Sequence, residues 1–140
     1  MKYLGVDYGD VRTGLAVSDA TGFLASGIGF ISEGGMRRTA VRVAQEATAR
    51  GAEAIVVGYP KNMDGSEGPR TEVVRAFVAL LEGETALPVL LFDERLSTVE
   101  AHRFLSMTQT GGKKRKKVID TLSAQIILQD FLDSKRHASL

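Results

Sequence analysis

Four acids stand at places where carboxylates could do chemistry together. Asp7 closes the first apolar run (Y-L-G-V-D), Asp93 and Glu94 close the last one (P-V-L-L-F-D-E), and Asp120 opens the stripe Asp120, Ala124, Ile127, Phe131. At about 100° per residue that stripe lies on one side of a helix, and its other members are apolar, so it should face a core. A carboxylate on such a face is costly unless something pairs with it. In isolation Asp120 also suits a first-turn acid favoured by the helix dipole. Acids gathered at one edge would suit a divalent cation: Mg²⁺ or Mn²⁺ takes oxygen ligands and keeps water and phosphate oxygens in its shell. Two such ions about 3.5–4 Å apart activate an attacking water and stabilise the leaving oxygen of a phosphodiester.

The elements that must position these acids can be read from periodicity. Lys2–Tyr8, Gly14–Ser18 and Gly22–Ser32 read as three strands joined by short turns, hence an antiparallel meander. Met36–Arg50 has apolar residues at spacings of three and four, and Gly51 follows its end, so a helix is expected. Ala54–Gly58 lacks alternation, as a strand covered on both faces would. Pro69 suits the first position of a helix to about Leu81, and Pro88–Asp93 reads as the fifth strand. Ser97-Thr98-Val99-Glu100 has capping-box spacing and would begin a helix to about Met107. A last helix is expected over Lys117–Ser134. The order β-β-β-α-β-α-β-α-α predicts an α/β fold, a mixed five-stranded sheet with helices on both faces. Ligands in open α/β sheets bind at the carboxyl ends of strands. Asp7 would therefore meet Asp93 or Glu94 there if the first and fifth strands are parallel neighbours. Alternation sends Asp93 and Glu94 to opposite faces and leaves open which one looks into the site.

With 140 residues and no linker or internal repeat, one domain over 1–140 is expected. The chain is 44% hydrophobic and 25% charged, as soluble globular proteins are, and no apolar run approaches the ~18 residues of a membrane span. No signal-peptide pattern is visible, and the absence of cysteine excludes disulfides and thiolate chemistry; an intracellular, cytoplasmic protein is expected. Charge is uneven: residues 1–112 carry 11 Lys and Arg against 14 Asp and Glu, whereas 113–140 carry 7 against 3. The excess sits in Lys113-Lys114-Arg115-Lys116-Lys117, a run expected to be a solvated loop attracted to polyanions.

G-V-D-Y-G-D-V-R-T-G-L-A-V-S-D, V-V-G-Y-P-K-N-M-D-G-S-E-G-P-R, F-D-E-R-L-S-T-V-E-A and V-I-D-T-L-S-A-Q-I-I-L-Q-D-F-L-D resemble, in order, the motifs of the YqgF/RuvX family. That family comprises Holliday junction resolvases and nucleases that finish the 5′ end of pre-16S ribosomal RNA. The resemblance spans nearly the whole chain and implies a ribonuclease H-like nuclease domain. It carries the family's metal-holding, catalytic acids onto Asp7, Asp120 and the D-E-R motif, favouring Glu94 with Asp93 as alternate. Related resolvases place a fourth acid near the helix acid; here the next is Asp130, almost three turns away, so a three-acid site is expected. The implied activity is Mg²⁺- or Mn²⁺-dependent hydrolysis of structured RNA, a pre-rRNA or a ribosomal precursor particle, by a monomer or homodimer. Branched DNA is the rival substrate, and a non-catalytic nucleic-acid-binding assembly factor is the rival class.

Several other residues have plainer readings. Gly9 and Gly14 most simply ease a tight turn. Arg12 either grips a phosphate or forms a structural ion pair. Asn62, Ser66 and the backbone near Gly65 would line the active rim, or only make a turn. Glu100 reads as a helix cap, and His102 and His137 as surface residues. Arg12, Asn62 and Lys113–Lys117 are the candidate nucleic-acid contacts, the basic run adding salt-sensitive affinity.

Overall fold

The computed structural model describes residues 1–60, 64–94 and 112–138, with side chains from 121 to 136 in the last stretch. Among the described residues five strands and three helices form: β1 (Tyr3–Asp7), β2 (Thr13–Ser18), β3 (Ala25–Ile31), α1 (Met36–Ala49), β4 (Ala54–Tyr59), α2 (Pro69–Glu84), β5 (Val89–Asp93) and α3 (Gly112–Ala138). The sheet order is β3-β2-β1-β4-β5. β1 pairs antiparallel with β2, as β2 does with β3, while β4 runs parallel to both β1 and β5. The expected mixed sheet therefore forms. The first and fifth strands are parallel but are not neighbours, because β4 lies between them. Two crossovers that each pack a helix on the sheet bring β4 beside β1 before β5 can be added outside it.

Two apolar layers hold the sheet. On one face Leu4, Val6, Ile55 and Val57 meet Ala40, Val43, Ala44 and Ala47 of α1 and Val74, Phe77, Val78 and Leu81 of α2. On the other, Tyr3, Ala16, Val56 and Phe92 meet Ala124, Ile127, Leu128 and Leu132 of α3. Every residue of β4 is buried, which explains its unbroken apolar run. Side chains such as Phe77, Leu81 and Ile127 are fully buried, each worth about 1.5–3 kcal/mol relative to exposure.

α2 continues beyond the expected Leu81 to Glu84, and β3 begins at Ala25 instead of Gly22. The larger correction concerns the basic run: Lys113–Lys117 is helical, and α3 begins at Gly112 instead of Lys117. Lys and Arg are good helix formers, and the packed half of α3 supplies the nucleus onto which further turns add. The expected helix from Ser97 to Met107 lies outside the described residues, as do Asn62, Glu100 and His102. No helix among the described residues is long and apolar enough to cross a membrane.

Candidate active site at the carboxyl edge of the sheet

Asp7 is the last residue of β1 and is half-buried. It pairs across β2 with Gly14, which pairs in turn with Phe30 of β3. On its other side the parallel register with β4 ends at Val6 and Val57, so the next residues, Asp7 and Gly58, stand side by side. Gly58 pairs with Phe92 of β5. A row Phe30, Gly14, Asp7, Gly58, Phe92 thus crosses the sheet, with a glycine on each side of the carboxylate. Alternation places Asp7 on the face of Tyr3 and Phe92, which is the face that α3 covers.

Glu94 reaches the same face. A Cβ added to Gly58 would lie 2.8 Å from Glu94 Oε1 and 2.7 Å from Ile127 Cδ1. The carboxylate of Glu94 therefore rests directly over Gly58, one strand from Asp7, and any side chain at 58 would displace it. Asp93 pairs with Tyr59 and is one residue out of phase with Phe92, so it points to the opposite face.

α3 runs antiparallel to β1. Phe131 meets the Tyr3 ring edge-on at 5.3 Å, and Leu128 closes onto Gly5 nearer the carboxyl edge. Ala124 is the next turn, its carbonyl also at Gly5, and position 120 lies one turn further toward the edge where β1 ends. The backbone thus carries Asp120 to the edge of Asp7 and Glu94; its side chain lies outside the described residues. Among the described residues no group of three acidic or histidine side chains gathers closely enough to hold a metal.

The β1–β2 hairpin that follows Asp7 is held from two sides. A Cβ on Gly9 would stand 2.1 Å from the Arg12 carbonyl oxygen, so the turn itself demands glycine there. Arg70, in the first turn of α2, donates to the Tyr8 carbonyl and to Asp10 Oδ1 (3.1 Å), and its guanidinium lies 5.6 Å from the Tyr8 ring. The Tyr8 ring stacks on Phe77 at 4.4 Å, and burial pushes its hydroxyl pKa up. Arg12 projects over Phe30, 5.9 Å from the ring centroid. The anchoring role of Arg70 was not assigned from sequence, although Arg70 closes the second family motif and stands as a cation in a helical first turn, where the dipole disfavours it.

The loop after β4 is also organised from α2. Tyr59 donates to Glu67 Oε1 at 2.6 Å, and Arg75 binds both Tyr59 and Glu67. Burial, then the bond to Glu67, raises the Tyr59 pKa. Thr71 accepts the Gly68 amide and donates to the Pro60 carbonyl (2.8 Å), fastening both ends of the loop. Ser66 closes a turn on Asp64 Oδ1 through its amide (2.9 Å) and hydroxyl (2.6 Å).

Residues 1–134 match the family model described as "RuvX: Holliday junction resolvase". The chain belongs to the RuvX family. Among curated RuvX-like relatives, a Geobacillus sp. (strain WCH70) protein named "Putative pre-16S rRNA nuclease" is 46% identical over 142 residues, covering 97% of this chain and 100% of the relative. A Pelotomaculum thermopropionicum protein of the same name is 43% identical, covering 96% of this chain and 88% of its own. The fold is shared with T. thermophilus RuvC in complex with Holliday junction substrate (TM-score 0.58, 17% identity, 96% of both chains). It is also shared with the fowlpox virus Holliday junction resolvase (TM-score 0.56, 13% identity, 96% and 99% covered). The RuvX chain is therefore a nuclease with the ribonuclease H-like architecture expected from its motifs.

Proposed function

We propose that the chain hydrolyses phosphodiester bonds at the 5′ end of pre-16S rRNA with a divalent cation, Mg²⁺ or Mn²⁺. Asp7, Glu94 and Asp120 would hold the cation, within a single domain spanning 1–140 that works in the cytoplasm. One observation carries the reading: Asp7 and Glu94 lie on one face at the carboxyl edge, with only Gly58 between their strands. Carboxylate oxygens beside a floor without side chains suit a hard cation and a phosphate together. When bound, that cation would supply charge neutralisation at the phosphate and lower the pKa of water. The chain's own part is to place Asp7 between two glycines and to set Glu94 over Gly58. Arg70 holds the hairpin so that Asp7 does not drift.

The curated relatives' name favours precursor rRNA. The family description, with a structural neighbour solved on a junction, favours four-way DNA as the second substrate. Symmetric junction cleavage needs two sites, hence a homodimer, whereas a monomer suffices for rRNA ends.

Cleavage of pre-16S 5′ ends and of synthetic junctions with Mn²⁺, wild type beside Asp7→Asn, Asp120→Asn, Glu94→Gln and Asp93→Asn, tests the proposal. The first three variants should lose cleavage by at least ~10²-fold, the scale of losing a principal electrostatic group. Asp93→Asn should retain it. If both substrates stay intact and Asp7→Asn complements a deletion strain, the chain is instead a non-catalytic assembly factor.

A further inference from the structure

α1 begins in a way that local chemistry disfavours. Gly35 precedes it without any side-chain cap, and the first turn contains no acid. Instead the first turn holds Arg37 and Arg38, both exposed and neither in any ion pair or hydrogen bond among the described residues. Cations there oppose the helix dipole. The nearest acid, Glu33, is engaged by Arg42 at 3.2 Å, and Arg42 is shared with Glu46. Glu33, Arg37, Arg38 and Arg42 line a shallow surface groove of about 360 Å³ with Val41 and Gln45. A cost with no return inside the fold is the kind of local conflict that functional surfaces carry.

The end of the groove at Glu33, Arg37 and Arg38 stands at the same edge as Asp7. β3 ends at Ile31 opposite Thr13, the first residue of β2, and Ser32 donates to the Val11 carbonyl at 3.0 Å. The segment leading into α1 is thus tied to the hairpin that follows Asp7. α1 packs on the face opposite α3. Arg37 and Arg38 therefore flank the site from one side of the sheet, and the basic turns of α3 flank it from the other.

Resting on the nuclease reading above, we infer that Arg37 and Arg38 bind the sugar–phosphate backbone of the substrate away from the scissile bond. A bound strand would cross the end of the sheet, from Lys113–Lys117 on one face, past Asp7 and Arg12, to the groove on the other. Packed layers stand about 10 Å apart, so the two helix layers are separated by on the order of 20 Å. At about 3.4 Å of duplex rise per nucleotide this spans roughly six nucleotides, and substrates that stop short of it cannot reach the groove.

Fluorescence anisotropy across a salt series tests this with the full chain, using an RNA duplex, a four-way DNA junction and shortened forms of both. For the long probes Arg37→Ala/Arg38→Ala should lower the slope of log affinity against log salt by about 1.4 to 1.8, as expected for two lost phosphate contacts. KM for long substrates should rise with kcat unchanged, and Arg37→Lys/Arg38→Lys should restore both. Short probes should not distinguish variant from wild type. Whichever long probe shows the change identifies the strand that reaches the groove. An unchanged slope on both long probes, with a wild-type circular dichroism spectrum, would overturn the inference and leave the nuclease reading standing. Equal losses on short and long probes would overturn it too. Wild type that binds neither RNA nor junction would remove the functional reading and this contact with it.

Discussion

Gly58 carries more of the candidate site than its lack of a side chain suggests. It separates Asp7 from β5, and its empty face is where the Glu94 carboxylate rests. Gly58→Ala would put a methyl group against Glu94 Oε1 and Ile127 Cδ1 at once. Such overpacking costs about 1–3 kcal/mol, since one neighbour is a core side chain. Denaturant unfolding should show that loss, and cleavage should fall further than stability because Glu94 is pushed from its seat. Arg70 acts at one remove, through the hairpin. Its ion pair with Asp10 is solvent-exposed and worth about 0–1 kcal/mol, so Arg70→Ala should leave the thermal midpoint nearly unchanged. The turnover of the variant should nevertheless fall several-fold, as the carbonyl of Tyr8 loses its anchor beside Asp7.

Two elements make predictions of their own. The turn between β2 and β3 is organised by Asp19, which accepts the Phe23 amide at 2.8 Å, the Thr21 hydroxyl at 3.0 Å and the Leu24 amide at 3.4 Å. These bonds, that to Phe23 foremost, hold its carboxyl below the ordinary 3.8. A lowered folded-state pKa stabilises the fold above the unfolded value, and that contribution is lost as pH falls through the folded one. Asp19→Asn should therefore melt earlier than wild type at neutral pH, and the two melting curves should converge in acid below 3.8. In α3 the backbone of the basic run is part of the helix. Replacing Lys113, Lys114, Arg115, Lys116 and Lys117 by Gln should preserve helical circular dichroism, because Gln, Lys and Arg have similar propensities. Nucleic-acid affinity and its salt slope should both drop, by up to about 0.9 of slope per lost phosphate contact.

For the molecule as a whole, the sheet separates two tasks. Among the described residues the α1–α2 face supplies the larger apolar layer and the clamps on the loops, while Asp7 and Glu94 lie on the α3 face. Because the segments that follow β1 and β4 are tied to α2, disturbing that layer disturbs the edge. Within the proposed single domain, denaturant unfolding followed by helical signal and by tyrosine fluorescence should give one coincident transition. Separate transitions would divide the chain into independent units.

Much of this was legible in the residues themselves. Unbroken apolar character marked β4 as buried on both faces, and spacings of three and four marked α1, because both patterns are local consequences of backbone period. The four motifs sufficed for the family, and with it the nuclease class and the ribonuclease H-like architecture. What the chain could not disclose is everything that depends on which strands become neighbours. That β4 stands between β1 and β5, that Gly58 consequently seats Glu94, and that Asp93 turns to the other face all follow from register, which no local pattern encodes. The same holds for Arg37, Arg38 and Arg70. Arg37 and Arg38 stand in no motif and Arg70 only closes one, and it is the layering of α1 and α2 beside the hairpin that brings them to the edge where Asp7 lies.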